Sequence, residues 1–356
     1  MKKIIFKIII LIMISIIISC SNENSGTKKE NIQLSENEKL QVFDMRYLTS
    51  ENGEYLNVLL KENSKSVFVD YIFYENQSID AFTFDTEINE GYISADYIEG
   101  NLSDAGFNGK IEGREVNFVN SKSPLSGAKV VRYTYTNVST TNASEEDIKT
   151  FEYSSSIFLF NNDSKSAIID KINLDINSEI TDAKLDINKL SDIKNILSNN
   201  ILPFYNEWAG EGEYGYNYDS ISEYGIDYLS EKIASINEYF YEYTGGAHGV
   251  HGKIYKVYSL SNGERLKIED ILIDVNNLDL INKVKEKLLS IADEESYFNL
   301  DALSLQENNF YITSKGLTFT WGIYEIAPYA TGDSEVLFSI DEIMPYLKDE
   351  YKSIFE

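Results

Sequence analysis

The residues best suited to chemistry in this sequence are its histidines. His248 and His251 are the only two among 356 residues, and they lie in the stretch "GGAHGVHG". A zinc site needs three or four ligands, usually histidine, cysteine or carboxylate. Two histidines on one helix face would be four positions apart, and a segment so rich in glycine disfavours a helix. We therefore predict no metal and no cofactor here.

The same stretch is better explained as a backbone turn. Glycine adopts positive φ and lets another strand approach closely, and Gly245, Gly246 and Gly249 are placed to do so. We expect His248 to hydrogen-bond backbone carbonyl groups and to fix the turn, at the edge of a binding surface. For His251 we expect an exposed position without a role of its own.

Catalysis has weaker support in the sequence, and we predict no catalytic residue. No Gly-x-Ser-x-Gly segment is present, so a serine nucleophile on a strained elbow is not indicated. A cell-wall hydrolase acting through Glu211, Glu213 or Asp219 stays open as the alternative. It would require two carboxylates about 5–10 Å apart across a cleft.

Aromatic residues make up the second candidate site. Tyrosine and tryptophan offer a large rigid surface with a polar tip, which suits stacking on a glycan or binding a protein. With His248, the candidate binding residues are Trp208, Tyr214, Tyr216, Tyr241, Tyr243, Tyr324 and Tyr329. For the tyrosines on predicted strands, cross-strand packing is the favoured interpretation. For the glycine-rich segment 208–218, which we expect to be a loop, binding and packing stay equally open.

The first twenty residues predict export and attachment of a lipid. Three lysines precede an apolar run over residues 8–18. That run has the length of a signal-peptide core and is too short to span about 30 Å of hydrocarbon. The segment Ile17-Ile18-Ser19-Cys20 resembles the lipobox of bacterial lipoproteins, which implies cleavage before Cys20 and a membrane anchor on its sulfur. Cys20 is the only cysteine, so no disulfide is expected.

Charge and composition limit where the chain acts and what it binds. Removal of residues 1–19 leaves 28 basic against 58 acidic residues, a net charge of −30. Such an acidic protein repels nucleic acid and anionic lipid and attracts cationic partners. We expect an extracytoplasmic protein anchored in the bacterial cell envelope. Because Ser21 rather than aspartate follows Cys20, the outer membrane is favoured in a host that has one.

Hydrophobic patterning predicts an α+β fold with antiparallel sheets and a few packed helices, preceded by a small mostly-β domain. The predicted order is signal peptide 1–19, lipidated cysteine and flexible tether 20–40, small β-rich domain 41–127, α+β companion domain 128–225, and C-terminal α+β domain 226–350. Asn108-Gly109 and Asn262-Gly263 predict strand breaks. Residues 165–176 are a possible strand. Apolar residues at helical spacing from Leu190 to Ile201 predict a helix.

Two elements in the C-terminal part resemble a known family. They are "YEYTGGAHG" at 241–249 and "YEIAPYATG" at 324–332. In order and spacing they are similar to an extracytoplasmic domain of unknown function. That domain forms the lysozyme-sensing ectodomain of RsiV-type anti-sigma factors and occurs beside the catalytic domain of PdaC-type peptidoglycan deacetylases. Residues 128–225 resemble the companion domain that usually precedes it.

The resemblance implies an extracytoplasmic binding role, with a lysozyme-like muramidase or peptidoglycan as the candidate ligand. Only 19 residues precede Cys20, so we do not expect a sigma-binding segment. With two histidines in the whole chain, we do not expect the metal-binding catalytic domain of the deacetylase. The sequence therefore predicts a non-enzymatic binding lipoprotein.

Overall fold

The parts of the chain described by the computed structural model are residues 37–75, 78–125, 127–139, 149–210, 216–298 and 300–355. The predicted signal peptide, Cys20 and nearly all of the predicted tether lie outside these residues. So do Glu211, Glu213 and Tyr214. Within the described ranges, no helix is long and apolar enough to cross a bilayer.

The described residues begin with eight strands that close on themselves. They are β1 (Glu38–Thr49), β2 (Tyr55–Lys61), β3 (Ser66–Glu75), β4 (Ser78–Asn89), β5 (Tyr92–Ala95), β6 (Ile98–Ser103), β7 (Gly106–Ile111) and β8 (Arg114–Asn120). Each strand pairs with the next, and β8 returns to β1 through Leu48↔Asn120 and Thr49↔Val119. We call this part the closed sheet. Side chains such as Val69, Phe107 and Phe118 share one buried cluster within it.

The same hydrogen-bonded sheet continues beyond β1. Its further strands are β9 (Gly127–Ser139), β10 (Lys149–Phe160), β11 (Tyr218–Leu229), β12 (Ile233–Tyr243), β13 (Val250–Ser259) and β14 (Arg265–Leu266). The first part of β1 pairs with β9, and the order then runs from β9 to β14. Only β10 and β11 are parallel among the described pairs. Strand pairing is thus continuous across both predicted domain boundaries, at 127/128 and 225/226.

A second, three-stranded antiparallel sheet and a set of helices complete the structure. The strands are β15 (Phe310–Thr313), β16 (Gly316–Trp321) and β17 (Ser334–Ser339). The α-helices are α1 (Ala167–Ile176), α2 (Leu190–Gly210), α3 (Ile268–Ile271), α4 (Leu278–Ile291), α5 (Ile340–Ile343) and α6 (Asp349–Lys352). Leu280, Val284 and Leu288 of α4 share a buried cluster with the small sheet. The predicted α+β class with a β-rich N-terminal part is therefore confirmed.

Two local predictions were wrong. Residues 165–176, predicted as a possible strand, form helix α1, in which Ile169, Ile172 and Ile176 are buried at helical spacing. Asn108 and Gly109 do not break a strand but lie inside β7. Gly109 pairs with Gly100 of β6, and a Cβ atom at Gly109 would lie 2.1 Å from the Glu99 carbonyl oxygen. Close contact between strands, and not a turn, explains this glycine.

Candidate functional site

The glycine-rich turn joins β12 to β13 and determines where His248 lies. Gly245 and Gly246 have φ values of +89° and +95°, which L-residues rarely adopt. Gly249 is required for space, because a Cβ atom there would lie 2.6 Å from the ring of Tyr241. Tyr243 donates its hydroxyl proton to the carbonyl oxygen of Gly246 at 3.0 Å. The sequence thus builds a tight turn with a histidine at its exit.

His248 contacts the second family-like element. Its Nδ1 lies 3.0 Å from the carbonyl oxygen of Gly249, the next residue in the chain. Its exposed ring stacks on Tyr329, with 3.9 Å between ring centroids and 25° between planes. Tyr329 begins a 3₁₀ turn, Tyr329–Thr331. The "GGAHG" and "APYATG" segments, about 80 residues apart in the chain, therefore meet in space.

Two further rings complete this group. The His251 ring lies edge-on to Tyr329 at 5.8 Å between centroids, and the Tyr324 ring lies 5.8 Å from Tyr329 at an angle of 40°. We name His248, His251, Tyr324 and Tyr329 the aromatic cluster. His251 was expected to be exposed without a role. The structure corrects this, because it is half-buried and contacts Tyr329.

Tyr324 stands out within the aromatic cluster. It has a φ of +66°, which is strained for a bulky side chain, and 48% of it is exposed. Its backbone N–H donates to Ala327 at 3.0 Å. The carboxylate of Glu325 accepts from the Gly322 N–H and from the Asn309 side chain. These hydrogen bonds hold the loop in a conformation that leaves Tyr324 exposed.

The strand tyrosines lie beside the aromatic cluster. In the pairing of β12 with β13, Tyr241 is opposite His251 and Tyr239 is opposite Lys253. Since side chains alternate along a strand, Tyr239, Tyr241 and Tyr243 share the face that carries His251. All three are half-buried, so they pack against neighbours and still present polar tips.

Charged groups border the cluster. Partial burial raises the pKa of the Asp333 carboxyl, and the nearby His251 and Lys253 oppose this rise. Burial also raises the pKa of the Tyr239 hydroxyl, with the charge of Glu223 adding to it. Within the described ranges, no three histidine, cysteine or carboxylate side chains are arranged to hold a metal ion.

Trp208 does not lie in an exposed loop, so that expectation is corrected. Helix α2 extends to Gly210, and its apolar spacing continues through Ile201 and Tyr205 to Trp208, which is only 5% exposed. The Trp208 indole N–H donates to the Tyr216 carbonyl oxygen at 2.7 Å. Trp208 is therefore a core residue. Tyr216 is half-buried, and its side chain lies next to Gly245 of the glycine-rich turn.

One of the predicted acidic residues has a carboxylate neighbour. Asp219 on β11 pairs with Glu152 on the parallel strand β10. Partial burial raises the pKa of Asp219, and the charge of Glu152 adds to this rise. Nearby, Glu242 accepts a hydrogen bond from Tyr218 at 3.1 Å, and burial raises its pKa also.

Sequence reasoning missed two residues beside the cluster. Phe298 is exposed, and its backbone N–H donates to the Ile326 carbonyl oxygen at 2.9 Å, which joins it to the loop of Tyr324. Asp333 follows the same loop. Neither has a distinguishing local pattern, although Asp333 stands directly after the "YATG" turn that the family resemblance had already singled out.

Comparison with known proteins supplies two matches to family models. DUF3298, a protein family of unknown function, matches residues 269–341. The family described as deacetylase PdaC matches residues 144–251. The glycine turn with its histidines thus ends the second match, and Tyr324 and Tyr329 lie in the first. No curated protein matches the chain.

Solved structures of the DUF3298 family are also similar to this chain. One, from Bacteroides fragilis, has 18% sequence identity and a TM-score of 0.47, covering 62% of this chain and 94% of that one. Another, from Pseudomonas aeruginosa, has 15% identity and a TM-score of 0.40, with the same coverage of both chains.

Proposed function

We propose that this protein is a non-enzymatic binding module of the bacterial cell envelope. The premise is that the chain contains a DUF3298 region preceded by a PdaC-type region. The observation that carries this proposal is the aromatic cluster. Its two histidines come from the PdaC-type region, and its two tyrosines come from the DUF3298 region. The aromatic cluster is therefore a surface made jointly by the two matched regions.

The backbone strain at Tyr324 supports binding over packing. A bulky residue at positive φ costs about 1–3 kcal/mol, and such strain is concentrated at functional sites. If Tyr324 served only to pack the loop, its ring would be buried. Nearly half of Tyr324 is exposed instead, although its backbone is strained. Exposed tyrosine held in a fixed conformation loses little entropy on binding, which suits a protein or glycan ligand.

The proposed ligand is a lysozyme-like muramidase, with peptidoglycan as the other candidate. Muramidases of this type are cationic, and a mature chain of charge −30 would attract one over a distance set by the salt concentration. Charge accelerates encounter and the aromatic cluster would supply the contact. Peptidoglycan would instead stack its sugar rings on the same tyrosines, with little dependence on salt.

The proposed location follows from the first forty residues. A lipid on Cys20 and a polar tether of about twenty residues would hold the protein at the outer side of a membrane, extending at most about 65 Å from it. Metabolic labelling with a fatty acid would test this directly. A label that disappears in Cys20→Ser supports the anchor, and an unlabelled wild-type protein contradicts it.

The binding proposal is tested by titrating the 21–356 fragment with lysozyme and with peptidoglycan fragments. Tyr324→Ala and Tyr329→Ala should each weaken binding about 30-fold, the effect of a 2 kcal/mol contact at the centre of an interface. The matched control is Tyr97→Ala, since Tyr97 is 62% exposed in the turn between β5 and β6. This variant should bind as wild type does. Failure to bind lysozyme at both low and physiological salt removes the muramidase version.

A second candidate function is a cell-wall glycan hydrolase. The observation that favours it is that Asp219 and Glu152 are neighbours on adjacent strands. The pKa of Asp219 is raised, as is typical of a carboxyl group that acts as a general acid. Asp219→Asn would then abolish release of soluble fragments from purified peptidoglycan. Absence of any release by the wild-type protein, across pH 4 to 8, removes this candidate.

A further inference from the structure

A carboxyl group is buried where the closed sheet meets the rest of the protein. Asp227 lies in β11 and is 4% exposed. The pairing of β11 with β12 shifts between Ile226 and Tyr228, so Asp227 is the extra residue of a bulge. A bulge redirects one side chain out of the regular alternation of a strand. Here it directs a carboxyl group into the interior.

The partners of Asp227 come from both sides of this contact. Asn237 of β12 donates to Oδ1 at 2.7 Å, and Tyr55 of β2 approaches the same oxygen at 3.5 Å. Tyr47 of β1 approaches the Asp227 carbonyl oxygen at 3.5 Å. No donor among the described residues reaches the buried Oδ2. One oxygen is therefore satisfied and the other is not, which is costly for a carboxylate.

Further contacts tie the closed sheet to the small sheet and to β11. The Ser314 hydroxyl, in the turn between β15 and β16, donates to the Gly53 carbonyl oxygen at 2.6 Å. Lys315 lies over the ring of Tyr74 of β3, with 5.8 Å from its Nζ to the centroid. Asn57 of β2 donates to the Ile226 carbonyl oxygen at 3.0 Å. We call these contacts, together with those of Asp227, the junction.

We propose that Asp227 is a pH-responsive latch, which holds the closed sheet at the junction when its carboxyl group is neutral and loosens the junction when it is ionised. The geometry behind this is the burial of the group, its single satisfied oxygen and its contacts with two strands of the closed sheet. The latch depends on the junction alone and needs no ligand at the aromatic cluster.

The groups that face Asp227 determine which pH range matters. They are Tyr47 of β1, Tyr55 of β2, Tyr74 of β3, Lys253 and Tyr255 of β13, Tyr311 of β15 and Glu335 of β17. Burial raises the pKa of each of these tyrosines, so they stay neutral. Lys253 lowers the pKa of Asp227 and Glu335 raises it, so the two charges oppose each other.

Burial raises the pKa of Asp227 to about 7. In an opened junction the carboxyl group would return to its ordinary pKa of about 3.9. Between these values the closed form binds one more proton than the open form, so opening becomes easier as the pH rises. The equilibrium constant for opening should increase about tenfold per pH unit well between the two pKa values, and about 50-fold from pH 5 to pH 7, where the closed form is itself half ionised. Above the upper pKa it should level off, and below about pH 4 it should not change.

Hydrogen exchange of the full-length protein between pH 5 and pH 8 tests the latch, with rates corrected for intrinsic exchange. Amides of segments 47–57 and 311–316 should show the rise in opening, about 50-fold from pH 5 to pH 7. Asp227→Asn, which keeps the shape and removes the charge, should give a flat profile. Asp96→Asn, at an exposed carboxyl group in the turn after β5, should keep the wild-type rise.

A second variant keeps the test decisive if Asp227→Asn does not fold. Tyr55→Phe removes a hydrogen bond that lowers the pKa of Asp227, so the upper end of the rise should move to higher pH. A wild-type junction whose opening changes less than threefold from pH 5 to pH 7 overturns the proposal. So does a rise that persists unchanged in Asp227→Asn, or one whose upper end does not move in Tyr55→Phe.

Discussion

Substituting Gly245 by alanine should destabilise the protein more than the same change at Gly246, although both glycines have positive φ. A Cβ atom at Gly245 would lie 3.0 Å from the Cβ of Tyr216, whereas nothing lies within 4 Å of one at Gly246. An L-residue in this conformation costs about 1–2 kcal/mol, and overpacking adds about 1–3 kcal/mol. We expect losses of about 1–2 kcal/mol for Gly246→Ala and about 2–5 kcal/mol for Gly245→Ala.

The structure also supplies a local readout for this pair. The Tyr216 carbonyl oxygen accepts the hydrogen bond of the buried Trp208 indole. Movement of Tyr216 in Gly245→Ala should therefore weaken that bond and shift the native tryptophan emission to longer wavelength, while Gly246→Ala leaves it unchanged. The only other tryptophan, Trp321, is buried in the C-terminal cluster and should give a constant background.

Urea unfolding at constant m-value gives the two free energies of unfolding, and native-state fluorescence gives the local effect. Equal losses of unfolding free energy, within about 0.5 kcal/mol, together with wild-type emission in both variants would contradict this prediction. In that case Gly245 would be required only for its conformation, and not for the close contact with Tyr216.

Two further predictions concern buried positions. Ile172→Ala should cost about 2–5 kcal/mol of unfolding free energy, because Ile172 is fully buried on α1. Leu174→Ala, at an exposed position of the same helix, should change the unfolding free energy by at most about 0.5 kcal/mol. Equal losses in the two variants would contradict the assignment of residues 167–176 to a helix. Asn177→Ala should cost about 3 kcal/mol of unfolding free energy in the same urea assay. The buried Asn177 amide accepts a hydrogen bond from the Phe158 N–H and donates one to the Phe158 carbonyl oxygen. Asn188→Ala, at an exposed amide, is the control, and a similar small loss in both variants would show that the two Asn177 bonds do not stabilise the fold.

Some of the fold was predictable because its signals are local. The Asn262-Gly263 hairpin, the helix containing Ile193 and Ile201, and the hairpin through Lys315 each follow from a few adjacent residues. Helix α1 was predicted as a possible strand because its apolar residues fit both the two-residue repeat of a strand and the 3.6-residue repeat of a helix. Ile168, Ile172 and Leu174 fit the alternation of a strand, while the residues actually buried follow the spacing of a helix.

What could not be predicted depends on contacts between distant residues. Closure of the first eight strands requires Thr49 to pair with Val119, and no local pattern specifies that pair. Asp227 resembles many other acidic residues in the sequence, and its burial comes from Tyr47 and Tyr55, which lie more than 170 positions away. The Asn-Gly signal also failed at Asn108, where two glycines face each other inside a sheet.

In the candidate site, too, local features were predictable and contacts between distant residues were not. The glycine turn and the "APYATG" loop were each identified from their own residues, but spacing gives no indication that His248 stacks on Tyr329. Trp208 was assigned to an exposed loop because Gly210 follows it closely. The helix instead continues through it, and the apolar spacing from Ile201 to Tyr205 to Trp208 was the signal to follow.

Site-specific photo-crosslinking to lysozyme tests the binding surface most directly. A photoreactive phenylalanine analogue would replace Tyr324 in one protein and Tyr97 in another, since both positions are exposed. The proposal predicts a crosslinked product of one protein with one lysozyme from position 324 and none from position 97. Equal crosslinking from the two positions, or crosslinking from position 97 alone, would contradict the assignment of the aromatic cluster as the binding surface.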